Sequence, residues 1–273
     1  MRGWRMVWGW ALWAGIVVSA QAQWPSMSEE EINFLFSVKQ VDEFMERFNH
    51  QPTLFTSWMN RMDSSLQVSR QRMILSLFNQ EDQAWNLNQV RSFVEQVDDS
   101  LRPAHLDYYD HDWYADLECL VQYQGKPRTV HLLLRVQAEP INASRWVIAG
   151  AQADFLTVPA SVDSTTSLTP FSHGTDFMNL TRALHDRQNI RNYLPQEFEV
   201  NTLSVFTFLS ATGQLEFKQV NRIVYHFLQV EGWIFTVDHF NRPSRNSGWL
   251  ISSLQPADAA AKQRYRHEVL SLQ

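Results

Sequence analysis

The sequence has a single cysteine, Cys119, and no cluster of basic residues. One thiol cannot form an internal disulfide, and it excludes the zinc sites that are built from several cysteines. Acidic residues outnumber basic ones by 29 to 23, which gives a net charge of −6. This balance argues against a nucleic-acid partner, because binding to phosphates requires clustered Lys and Arg. It argues equally against adhesion to an anionic membrane surface.

The composition is that of a folded globular protein. Of the 273 residues, 44% are hydrophobic and 13% aromatic, whereas 19% are charged. These fractions exclude a disordered chain, which would carry too little apolar surface to form a core. The length predicts one or two domains.

The first 22 residues have the pattern of a secretory signal peptide. Arg2 and Arg5 precede an apolar segment, residues 11–20, and Ala20-Gln21-Ala22 supplies the small-x-small cleavage pattern. The apolar segment is shorter than the roughly 20 residues that span a bilayer. We therefore expect cleavage after Ala22 and an exported protein, periplasmic or extracellular, with an uncleaved anchor as the alternative. No later segment is long and apolar enough to be an integral membrane segment.

Composition changes divide the rest of the chain. Residues 23–158 are predicted to form an N-terminal domain of helices followed by sheet. Residues 159–171 are rich in Ser, Thr and Pro, which is typical of an exposed linker. Residues 172–273 are predicted to form a C-terminal helix-and-sheet domain that ends in a polar helical tail.

Hydrophobic spacing predicts the helices of the first half. One apolar stripe with spacings of four and three predicts a single helix ending near Asn49, and a second such stripe predicts another helix that ends before Pro103. The two stripes are Phe34, Val38, Val41, Met45 and Phe48, and Leu87, Val90, Val94, Val97 and Leu101.

Alternating apolar residues predict strands in both halves. The clearest are 113–123, 130–136, 233–240 and 249–254. Helices followed by an antiparallel meander, repeated twice, indicate an α+β fold with helices packed on curved antiparallel sheets. We expect two tandem cone-like halves, with one composite domain as the alternative.

The segment Val41-Asp42-Glu43-Phe44-Met45-Glu46-Arg47-Phe48-Asn49, followed by more helices and long aromatic strands, resembles the nuclear transport factor 2-like superfamily. The resemblance extends over most of residues 28–256 and includes uncharacterised exported bacterial proteins. It implies a pocket between the helices and the concave face of the sheet. Members of this superfamily include acid–base enzymes with a carboxylate base and a tyrosine donor, and many proteins that only bind.

The hairpin around Glu231-Gly232 provides the candidate site. A two-residue turn there would place Tyr225 opposite Asp238 and His226 opposite Val237. Tyr225 and Asp238 would then form a donor–base pair able to abstract a proton from carbon. The alternative is a structural hydrogen bond between the tyrosine hydroxyl and a partly buried carboxylate.

Three further residues complete the predicted ligand-binding set. In that register His226 and His239 share a face as diagonal neighbours. Arg242 lies in the following polar loop, where a guanidinium could bind a carboxylate or phosphate.

Residues 105–116 carry several Asp and His side chains among aromatic residues, but their spacing lacks the glycine and the final glutamate of a calcium loop. We therefore predict no metal and no cofactor. Of the tryptophans that follow the leader, at most one or two are expected to be exposed.

These observations favour a non-enzymatic exported protein that binds a small ligand or an envelope protein. The alternatives are an acid–base enzyme that uses Asp238 and Tyr225, and a glycan-binding accessory protein, which would present an exposed aromatic pair beside polar side chains.

Overall fold

The computed structural model describes residues 29–53, 57, 68–81, 85–139, 143–158 and 200–272. The predicted leader, the predicted linker and the start of the predicted C-terminal domain lie outside these residues. The helices are α1 (Glu29–Phe36), α2 (Val41–Phe48), α3 (Arg70–Ser76), α4 (Leu87–Val97), α5 (Thr202–Ala211) and α6 (Ala259–Glu268). The strands are β1 (Trp113–Tyr123), β2 (Lys126–Glu139), β3 (Ala143–Gln152), β4 (Leu215–Phe227), β5 (Trp233–Phe240) and β6 (Gly248–Pro256).

The described strands form one antiparallel sheet in the order β3-β2-β1-β4-β5-β6. The sheet is curved and unclosed, and helices pack on it, so the predicted α+β class is confirmed. Strand β1 pairs directly with β4 along its whole length. The described strands on either side of residues 159–199 therefore share one sheet, as in the composite alternative.

The two faces of this sheet are set by the alternation of β1. We call face A the side that carries Trp113, Ala115 and Leu117, and face B the side that carries Tyr114 and Asp116. Side chains of directly paired residues point to the same side, so the pairings with β2 and β4 extend both faces across the sheet.

Face A bears most of the core. Helices α2 to α4 bury one end of it, in a cluster that includes Phe44, Phe48, Phe93 and Phe235, all 0% exposed. The ring of Phe235 lies 5.9 Å from that of Phe48 and 5.7 Å from that of Phe93. Close aromatic packing of this kind fixes the position of the helices on the strands.

Helix α5 buries the other end of face A. Its side chains Phe206 and Leu209 pack against Cys119, Val121 and other apolar residues of β1, β2 and β4. Two separate helical layers therefore cover the two ends of face A.

Face B is covered in part by α6. Tyr265 and Leu270 join a smaller apolar cluster with Tyr114 and Ile234. Lys262 Nζ donates to the carbonyls of Leu228 and Val230 at 2.6 and 2.7 Å. The predicted polar tail is therefore a helix that is docked on the sheet.

The first predicted helix is wrong in one respect, because it is two helices with a break at Val38. The backbone of Val38 pairs with the free edge of β6: its N–H donates to the Ser247 carbonyl at 3.1 Å, and its carbonyl accepts from Trp249 at 2.8 Å. The side chain of Val38 is buried, as the stripe required. An apolar residue that fits the helical spacing can equally lie in a short extended segment. The sequence alone does not distinguish a continuous helix from two helices joined by such a segment.

Candidate functional site

The predicted site residues do not lie together. The structure pairs Val224 with Asp238, Tyr225 with Val237, and His226 with Thr236, so the predicted register is wrong by one residue. A slip of one residue moves a side chain to the other face of a sheet. Tyr225 and His239 therefore lie on face A, whereas His226 and Asp238 lie on face B.

The loop between β4 and β5 explains the slip. The turn at Glu231-Gly232 does form, since the N–H of Trp233 donates to the Val230 carbonyl at 3.2 Å. The ladder does not continue up to this turn, however. The β4–β5 pairing ends at Phe227 and Phe235, so the turn at Glu231-Gly232 lies beyond the last pair and does not set the register.

On face A a continuous row of aromatic rings crosses the sheet, which we call the aromatic stripe. It consists of Trp146 on β3, Trp113 on β1, Tyr225 on β4, Trp249 on β6 and His239 on β5. Successive ring centroids are 4.7, 6.0, 5.0 and 5.1 Å apart. Such edge-to-face and tilted contacts hold each ring in a defined orientation.

The stripe is buried at its centre and open at its ends. Trp113 is buried, and Tyr225 and Trp249 are half-buried. Trp146 is 40% exposed, and His239 is also exposed. Trp146 is the one exposed tryptophan in the described part of the chain, and Trp24 and Trp58 lie outside it.

Polar groups lie beside the stripe. The hydroxyl of Tyr225 has no hydrogen-bond partner among the described residues, and burial, followed by the nearby carboxylate of Asp42, raises its pKa. Asp42 is in the first turn of α2, and its backbone carbonyl accepts a hydrogen bond from the Tyr108 hydroxyl at 2.7 Å. A hydroxyl, a carboxylate and an imidazole are thus available around a row of rings.

The arrangement on face B is different. His226 is 7% exposed, and its Nδ1 lies 2.8 Å from the Tyr265 hydroxyl of α6. Its Nε2 is buried without a partner among the described residues. Burial lowers the pKa of His226, and the smaller effects of Asp116 and Asp238 oppose this shift.

Asp238 forms an ion pair with Arg222 on the neighbouring strand. Arg222 donates from Nε to Oδ1 at 3.0 Å and from an Nη to Oδ2 at 2.8 Å. The carboxylate is 13% exposed and the guanidinium side chain 61% exposed. Both oxygens of Asp238 are therefore occupied by a charged partner on face B.

Arg242 fastens its loop to the helical layer. It donates to Glu81 at 2.6 Å and to Asn79 at 2.5 Å, and its guanidinium lies over the ring of Phe240. Its ligand-binding role stays a prediction, but the structure gives this side chain a structural use.

Residues 105–116 form a connection that is held by local hydrogen bonds. Asp107 accepts from the N–H of Tyr109 at 2.9 Å, and Asp110 accepts from the N–H of Asp112 at 2.7 Å. Within the described ranges, no group of three or more His, Cys, Asp or Glu side chains is placed to hold a metal ion. Cys119 is buried, as predicted, and burial raises its pKa to about 11, which keeps the thiol protonated.

Neither Trp146 nor Asp42 belongs to the site that the sequence predicts. Trp146 and Ile148 are two residues apart on β3 and therefore share one face of the strand. This spacing does not show that the helices leave that face exposed to solvent. Asp42 precedes the site by a long sequence distance, and only the packing of α2 on the sheet brings it near Tyr225. No helix among the described residues is both long and apolar enough to span a membrane.

Comparisons of the chain with family models, with curated proteins and with solved structures gave no match.

Proposed function

We propose that the protein is an exported, non-enzymatic binding protein whose ligand lies on the aromatic stripe of face A. The observation that carries this proposal is the exposed indole of Trp146, which rests on the buried ring of Trp113 at 4.7 Å. A fixed, exposed ring gives a ligand a contact surface at little cost in conformational entropy.

Acid–base catalysis by the predicted pair has no geometric support. A general base must come within about 3 Å of the proton that it removes, and its acid partner must reach the same substrate. Tyr225 and Asp238 project from opposite faces of the sheet, and Asp238 is bound by Arg222. These two residues cannot act on one substrate in this fold.

The glycan-binding alternative gains support from the composition of the stripe. A sugar ring has an apolar C–H face and a polar rim, and it fits an apolar surface edged by a few fixed polar groups. Trp146 supplies the surface. Tyr225 and His239 supply donors and acceptors, and the carboxylate of Asp42 adds a negative charge whose effect reaches the Tyr225 hydroxyl. We therefore propose a glycan as the ligand.

The test measures binding of a panel of oligosaccharides to the purified protein by thermal unfolding and by calorimetry. A ligand present at about 100 times its Kd stabilises the folded state by about 2.7 kcal/mol. The variant Trp146→Ala is expected to weaken binding about tenfold, because loss of the contact with one ring costs about 1.4 kcal/mol. Tyr225→Phe, which keeps the ring and removes the hydroxyl, should weaken it less.

Phe208→Ala is the matched control, since Phe208 is also an exposed aromatic residue, at 61%, but lies on α5 outside the stripe. It should bind as the wild type does. Unchanged binding in Trp146→Ala, or no binding of any oligosaccharide in the panel, would contradict the proposal.

A further inference from the structure

An opening of ligand size lies at the β3 edge of the sheet, between the docked helix α6 on face B and the strands β1 to β3. It has a volume of about 540 Å³, within the range of small-molecule sites. We call it the arginine cleft. Its polar lining includes Arg135 and Gln137 of β2 and Gln263, Arg266 and His267 of α6.

The two arginines are brought together by Tyr114, which is buried in the wall of the cleft. Tyr114 is the direct partner of Arg135 in the β1–β2 register, so the two side chains share face B. Arg266 reaches the hydroxyl of the same tyrosine from α6. Both guanidinium groups therefore point toward one space although they come from different elements.

The charges of the two arginines are satisfied differently. Arg266 donates to Asp112 at 2.7 Å and to Gln263 at 3.2 Å, which fixes its guanidinium. Arg135 is exposed and has no ion-pair or hydrogen-bond partner for its side chain among the described residues. The cleft thus holds one positioned and neutralised arginine and one uncompensated positive charge, in a chain whose net charge is −6.

The rest of the cleft is apolar. Val147 and Ile148 of β3, Leu203 of α5 and Leu272 beyond α6 complete its wall. A free guanidinium beside apolar side chains favours a ligand with an anionic head and an apolar body.

We propose that the arginine cleft binds a small organic anion, with its carboxylate or phosphate group on Arg135 and its apolar part against Val147 and Leu272. The residues assigned to the anion, Arg135 and Val147, lie on face B, whereas the aromatic stripe lies on face A. The two sites therefore use different side chains, although the cleft also reaches Ile148 and Leu203 at the β3 edge of face A. Arg135 is the specificity-determining residue, because it carries the free charge. Arg266 is a positioning residue that holds α6 against Tyr114 and Asp112 in the wall of the cleft.

The experiment is calorimetric titration of the purified protein with hexyl phosphate, hexanoate, hexanol and inorganic phosphate. We expect hexyl phosphate or hexanoate to bind, and to bind more weakly as salt is raised, because the attraction is partly electrostatic. Hexanol lacks the charge and inorganic phosphate lacks the apolar part, so each should bind at least about tenfold more weakly than the better amphiphilic anion.

The variant Arg135→Gln removes the charge from an exposed side chain and is expected to weaken binding of the anion at least about tenfold. Arg145→Gln is the matched control: Arg145 is an exposed arginine on the adjacent strand β3, it pairs with Glu139 at 2.7 Å, and it does not line the cleft. It should bind as the wild type does.

Three results would overturn the proposal: no binding of either amphiphilic anion at millimolar concentration, equal binding by Arg135→Gln, or an equal loss in Arg145→Gln, which would indicate general charge attraction. Trp146→Ala should leave anion binding unchanged. The failure of one site is thus distinguishable from the failure of the other.

Discussion

Face A and face B belong to one sheet but are covered in different ways. Face A carries two helical layers and a large aromatic core, and the aromatic stripe lies where these layers leave side chains half-buried or exposed. Face B carries one docked helix, α6, and keeps charged and polar residues such as His226, Asp238 and Arg135 on its strands. The comparison shows that face A supplies most of the hydrophobic core, whereas these charged and polar side chains lie on face B.

The largest expected effect tests how the helical layer of face A is anchored. Gly248 has a φ of +87°, and a Cβ built on it would lie 2.0 Å from the carbonyl oxygen of Val38. Gly248→Ala therefore has to break the bridge between Val38 and β6, and we expect a loss of at least about 3 kcal/mol in the free energy of unfolding. Urea denaturation of the purified variant measures it.

The control for this variant is Gly213→Ala. Gly213 has a similar φ of +70° but nothing within 4 Å of the Cβ position. It should lose only about 1 kcal/mol, the cost of the left-handed backbone alone. Equal losses in the two variants would show that the close approach to Val38 contributes nothing.

The next effect concerns face B and its dependence on pH. Burial lowers the pKa of His226 from the ordinary value of 6.5, so below pH 6.5 the unfolded chain takes up a proton that the folded chain resists. Acidification therefore favours unfolding, by up to about 1.4 kcal/mol for each pH unit between 6.5 and the lowered pKa. His226→Gln should remove this part of the pH dependence, as measured by urea denaturation between pH 7.5 and pH 5.

Tyr265→Phe is the companion variant, because it removes the hydroxyl at 2.8 Å but keeps the buried imidazole. We expect a loss of about 1 kcal/mol at neutral pH with the pH dependence retained. If His226→Gln unfolds with the same pH dependence as the wild type, the buried imidazole is not the group responsible.

The smallest effect is expected for the ion pair of face B. Arg222 is 61% exposed, so solvent screens its interaction with Asp238. Asp238→Asn should lower the free energy of unfolding by less than about 1 kcal/mol, and a double-mutant cycle with Arg222→Gln isolates the pair. A coupling above about 2 kcal/mol would mean that the pair behaves as a buried one.

The elements of this fold were more predictable than their pairing. The bounds of β1 and β5 agree with the sequence expectation, since alternation and turn residues act locally. The break at Val38 and the register of β4 against β5 were not predicted. The break at Val38 depends on backbone hydrogen bonds with the distant residues Ser247 and Trp249. The register depends on where the β4–β5 pairing ends, at Phe227 and Phe235, and not on the turn that follows.

The candidate site was less predictable for the same reason. Tyr225 lies in the aromatic stripe, but its ring neighbours Trp113 and Trp249 come from other strands, and the sequence does not show that these strands bring the rings together. Arg135 alternates with the apolar residues of β2 and therefore has the pattern of an ordinary solvent-facing side chain. Only the position of α6 shows that it lines a cleft.

The pairing of β1 with β4 has a consequence for how the chain folds. These two central strands come from opposite sides of residues 159–199. The outer edge of β6 pairs with Val38, which lies near the other end of the described chain. Contacts between such distant residues require large loops to close before they stabilise anything, which slows folding. During synthesis, neither half can complete the sheet before the other is present. Strand β1 therefore has an unpaired edge until β4 has been synthesised, and such an edge promotes aggregation.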